Sequence, residues 1–180
     1  MPSKIRFTSF PQTEPPPAFI EALAGVFRKH ELAICTEVLS KGLTSDNVLE
    51  VLADDLTLLG FQVEAGKTTD KTIDRPVFFG ENGEPIRRYE IDGFHPAWHC
   101  GLEIEAGRAW MGNAVYRDLI QAAVMVDVNH LCLAVPLVYK YQSGGRAASS
   151  PDYTNTLSVA TAVFGHSRFR LPYGLTVLGY

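Results

Sequence analysis

The stretch RRYEIDGFHPAWHCGLEIE, residues 87–105, decides the fold. Residues 87–92 read as a strand, Gly93-Phe94-His95-Pro96-Ala97 as a turn, and residues 98–105 as the returning strand. Strand side chains alternate between faces, so Glu103 and Glu105 share one face while Leu102 and Ile104 enter the opposite layer. A hairpin returning from Asp92 brings that carboxylate beside Glu103. Three acids then meet at one end of a strand pair whose other face is apolar. Like charges that close are unfavourable unless a proton or a cation holds them together, so the pattern asks for a divalent metal. Alternating Glu and apolar residues also fit an ordinary half-exposed hairpin, and the flanking sequence has to decide.

Downstream, Ala106-Gly107 breaks the strand and residues 113–127 have helical spacing, with Val115, Leu119, Ala122 and Val126 on one stripe. Asn113, Arg117 and Gln121 form a neighbouring polar stripe. HLCLAVPLV, residues 130–138, is a nearly unbroken apolar run, as in a strand buried on both faces of a partly parallel sheet. Residues 142–150 read as a flexible loop. A helix capped by Pro151-Asp152 follows, with Tyr153, Leu157, Ala160 and Phe164 as its stripe, and residues 174–178 form a last strand.

Upstream, residues 1–17 are rich in Pro, Ser and Thr and predict an extended, loosely attached arm. One helix carries Phe19, Leu23, Val26 and Phe27. A second starts near Ser45 or Asp46, buries Val48, Leu52, Leu56 and Leu59, and shows Glu50 and Asp54 on its other face; Gly60 ends it. Residues 61–64 alternate as a strand, residues 66–75 read as a polar loop, and Asn82-Gly83 marks a hairpin turn. The expected fold is a single α/β domain over residues 1–180, a mixed central sheet flanked by helices.

A net charge of −4 argues against a large basic surface that coats nucleic acid. It leaves nucleic-acid enzymes open, because carboxylates reserved for metal count as negative while a bound ion reverses their local effect. Three scattered cysteines, Cys35, Cys100 and Cys132, fit a reducing compartment, and no apolar run is long enough to span a membrane; the expectation is a soluble, cytoplasmic protein. His99-Cys100 with His130-x-Cys132 lacks zinc-ligand spacing, since His99 and Cys100 point to opposite strand faces. Ser143-Gly144-Gly145-Arg146 lacks the Lys-Ser/Thr of a phosphate loop.

With Asp92 at one strand end and Glu103-Ile104-Glu105 on the next strand, ahead of the Tyr116-Arg117-Asp118-Leu119 helix and LCLAVPLVY, residues 45–140 resemble the PD-(D/E)xK nuclease superfamily. Glu105 departs from the usual Lys, and Glu-x-Glu is similar to the variant in restriction enzymes of the BamHI and BglII kind. The resemblance implies a restriction-endonuclease-like core, Mg²⁺ (or Mn²⁺) as cofactor, DNA as substrate and a homodimer. It implies Asp92 and Glu103 as metal ligands, Glu50 as a further ligand, and Glu105 as the group that orients or deprotonates water. Arg117 and Gln121 would hold the scissile phosphate. Arg108 and Arg146, with Arg87 and Arg88, are the candidate DNA contacts. The rival is a non-catalytic nucleic-acid- or protein-binding module of the same fold, favoured by the missing Lys and the lack of a basic stripe.

Overall fold

The apolar run at 130–138 becomes a strand, His130–Val135, and all six of its residues are buried. The computed structural model describes residues 2–66, 68, 71–107 and 113–180. In chain order these form β1 (Arg6–Phe10), α1 (Phe19–Lys29), α2 (Glu31–Ile34), α3 (Ser45–Leu59), β2 (Gln62–Val63), β3 (Ile73–Phe79), β4 (Pro85–Ile91), β5 (Gly93–His95), β6 (Cys100–Ile104), α4 (Ala114–Val124), β7 (His130–Val135), β8 (Tyr139–Ser143), β9 (Arg146–Ser150), α5 (Asp152–Gly165) and β10 (Gly174–Gly179). The central sheet runs β1-β10-β7-β6-β5-β2; β6, β7 and β10 are parallel and the outer pairings antiparallel. Two separate ribbons, β3–β4 and β8–β9, stand outside it.

Parallel strands are covered on both faces, which is why β7 carries no polar alternation. Helix α1 packs on α3, and α5 lies against β1, β7 and β10. Leu23 and Phe27 of α1 and Leu52 and Leu56 of α3 are fully buried at the spacing read from the sequence. The N-cap of α3 is Thr44, whose hydroxyl accepts from the Asn47 N–H at 3.3 Å, one residue ahead of the expected caps. Gly60 closes that helix with φ of 108°, a left-handed turn that other residues resist.

Four local expectations are corrected. Part of the supposed loose arm is β1, paired with β10 along its whole length. Burying Ile5 and Phe10 contributes about 1.5–3 kcal/mol apiece, which offsets the entropy of ordering a short edge strand. Residues 142–150 are no loop: Gly144 (φ 56°) and Gly145 (φ 75°) make the tight turn that joins β8 to β9. Residues 73–75, assigned to the polar loop, open β3. Lastly, Gly93–His95 is strand β5, and the reversal falls at residues 96–99, with His99 at φ 48°. His95 explains that shift: it accepts the Trp98 N–H at Nδ1 (3.2 Å), reaches the Leu59 carbonyl through Nε2 (3.0 Å) and stacks on the Trp98 ring.

Candidate active site

Asp92 lies between β4 and β5, and the register that pairs Gly93 with Leu102 sets Asp92 across from Glu103. Its Oδ2 accepts the Ile104 N–H at 2.8 Å, so the carboxylate is tied to the end of β6. Leu102 and Ile104 are buried in the core while Glu103 is half-buried, as strand alternation requires. Glu105, just beyond β6, is fixed through its backbone. Its N–H donates to the Ala134 carbonyl at 2.9 Å, and its carbonyl accepts from the buried Tyr180 hydroxyl at 2.8 Å.

Helix α4 brings the counter-charge. Arg117 donates from Nη2 to Glu105 Oε1 at 2.8 Å and from Nε to Asp118 Oδ1 at 2.9 Å. Arg117 keeps more than half of its side chain in solvent, whereas that of Asp118 is wholly buried. Burial raises the Glu103 carboxyl well above the usual carboxylate range, and the charges of Asp92 and Asp118 add to it. Burial and then Asp118 push Glu105 up to about 7, against the pull of Arg117. Asp118 is raised too, by burial, with Arg117 opposing.

Asp92, Glu103, Arg117 and Gln121 line a cleft of about 490 Å³, joined there by Glu64 and Arg88. Glu105 stands at its border, linked through Arg117. Glu50 is not in this group: it is exposed on α3 and lines a neighbouring groove that shares only Glu64 with the cleft. Arg146 opens β9 on the outer hairpin and does not line the cleft. Arg87, exposed on β4, does not line it either, and Arg108 lies outside the described residues. Asp118 and Glu64 were missed by sequence reasoning. Asp118 had a signal: it falls on the buried stripe Val115, Leu119, Ala122, where an acid is out of place.

A family model described as "Putative halobacteria restriction endonuclease" matches residues 26–179. The chain belongs to this restriction-endonuclease family. The match begins inside α1 and runs to the end of β10, so it takes in the entire acid cluster. A solved structure of the restriction endonuclease BglII complexed with a DNA 16-mer is also similar, with a TM-score of 0.44 and 12% identity over 98% of this chain and 75% of that one. No curated protein matches.

Restriction endonucleases use divalent metal, and the donor chemistry of this family member can be set against that. The side chains crowded at the cleft are hard carboxylate oxygens, which suit Mg²⁺ or Mn²⁺. The thiols of Cys100 and Cys132 are buried in the core, where burial raises both, and neither lines the cleft. Among the described residues no three His, Cys, Asp or Glu side chains form a ready metal cage. Mg²⁺ needs none, because it keeps several waters and takes one or two carboxylates; Asp92 and Glu103 both line the cleft and fit that requirement.

Proposed function

We propose that this chain is a metal-dependent endonuclease that hydrolyses DNA phosphodiester bonds, working as a homodimer in the manner of type II restriction enzymes. The observation that supports the reading is a cleft lined by Asp92, Glu103 and Arg117, with Asp92 tied to the end of β6 through the Ile104 N–H. Asp92 and Glu103 are the metal ligands; Glu50 is left out, because it faces another groove. One or two Mg²⁺ ions held there supply an activated water and offset negative charge on the phosphate. Glu105 orients the attacking water and takes its proton, a role matched by a carboxyl that exchanges protons near neutral pH. Arg117, more than half exposed yet anchored by Asp118, holds the scissile phosphate beside Gln121.

The test is cleavage of a mixed-sequence DNA pool in Mg²⁺, read by sequencing the new ends. The parent should cut only when metal is present, and Asp92→Asn, which keeps the side-chain shape and the Ile104 hydrogen-bond geometry, should not cut. Full activity in Asp92→Asn would remove Asp92 from the site. The non-catalytic rival rests on Glu105 standing where Lys is usual, and thermal melting separates the two readings. Mg²⁺ or Mn²⁺ stabilises the folded protein only if it binds there.

A further inference from the structure

Glu105 faces two ways. Through Arg117 it borders the acidic cleft, and it also lines a second groove of about 410 Å³ with Lys41, Tyr139 and Lys140. At this junction the Tyr139 ring lies so close to the backbone that a methyl on Gly107 would come within 3.3 Å of it. Lys41, Tyr139 and Lys140 continue into a larger concavity of about 890 Å³ along β8 and β9. Glu105 therefore stands between the cleft residue Arg117 and a concave surface that runs onto the outer hairpin.

The chemistry of that surface differs from the rest of the molecule. Residues 139–150, YKYQSGGRAASS, contain no acid, and with Lys41 they carry three positive charges in a chain whose net charge is −4. Lys140 is held in place by donating from Nζ to the Leu39 carbonyl at 2.5 Å; Lys41 and Arg146 are exposed. Tyr139 and Tyr141 stack with centroids 5.3 Å apart and planes 15° apart. Across the strand from them stand Ser150 and Ala148, too small to cover the rings. Among the described residues the ribbon pairs with no other strand, and a two-stranded ribbon has the width that the major groove of DNA admits.

We propose that the β8–β9 hairpin and Lys41 form the surface that holds the duplex flanking the scissile phosphate, with Lys41, Lys140 and Arg146 on backbone phosphates and the Tyr139–Tyr141 pair against the groove wall. This rests on the endonuclease reading above, and its test is chosen to fail separately. A labelled DNA duplex of arbitrary sequence is titrated by anisotropy in Ca²⁺ at several salt concentrations, with the parent, Lys41→Gln/Arg146→Gln and Tyr141→Ala. The substituted cations are exposed, so the double variant should melt like the parent. It should bind several-fold more weakly at low salt, with a log–log salt slope shallower by about 2, because two phosphate contacts no longer release counterions. Tyr141→Ala should weaken binding with the slope unchanged. Parent-like affinity and slope in the double variant would overturn the surface while leaving the cleavage reading intact. A parent that binds no duplex would overturn both. An RNA duplex that outcompetes DNA would overturn the assigned partner.

Discussion

Burial and the neighbouring Asp118 favour the protonated form of Glu105 up to about pH 7, against an ordinary value of 4.5. Between those values the folded chain holds a proton that the unfolded chain has released, so stability falls as pH rises through this window. Glu103 and Asp118 are raised as well and pull the same way. Buried His130, held down to about 4, pulls the other way in parent and variant alike, so in EDTA the melting temperature of Glu105→Gln should rise relative to that of the parent between pH 5 and pH 8. An unchanged pH profile in Glu105→Gln would mean that the side chain sits in water. The same substitution should slow cleavage by on the order of a hundredfold or more if Glu105 is the base. Strand alternation made Glu103 and Glu105 legible as one face, whereas Asp92 comes beside them through the β5–β6 pairing, a stretch that the sequence reads as a turn. Asp118 left one mark, an acid on the buried stripe of α4, but the reach of Arg117 to Glu105 left none, since the docking of α4 beside the end of β6 has no fixed sequence spacing.

Elements followed the sequence where one long apolar pattern fixed them, as in α3, α5 and β7, and departed from it where pairing partners lie far apart in the chain. Strand β1 is the clearest case: RFTSF has little apolar content of its own and is ordered by β10, well over a hundred residues away. Phe10 is buried there and packs against Phe164 of α5 at 5.6 Å. Phe10→Ala should cost about 3–5 kcal/mol in denaturant unfolding, and a loss below about 1 kcal/mol would return the segment to a loose arm. The β3–β4 ribbon was half hidden for a similar reason. Its fixed point is Arg75, which pairs with Asp127 beyond α4 and lies 3.8 Å over the Phe94 ring, both contacts made outside its own hairpin.

The molecule as a whole carries a carboxylate cleft and an outer cationic ribbon, and an apolar stripe of α4 faces solvent. Tyr116, Ile120 and Val124 recur every four residues on the outer side of α4, opposite buried Val115, Leu119 and Ala122. That stripe is where the second copy of the proposed homodimer is expected, so Ile120→Glu should convert a dimer to a monomer in sedimentation while leaving the far-UV circular dichroism unchanged. Equal masses for parent and variant would place any dimer contact elsewhere. Among the described residues no helix is long and apolar enough to cross a membrane. For a chain of net charge −4, metal at the proposed site would do more than chemistry: it would also cancel the repulsion between Asp92, Glu103, Glu105 and the phosphate. The most direct measurement is DNA affinity with EDTA or with Ca²⁺ at fixed ionic strength, for the parent and for Glu103→Gln. The parent should bind markedly tighter in Ca²⁺ and Glu103→Gln should lose that gain, whereas one metal-independent affinity shared by the two proteins would contradict a metal site at these acids.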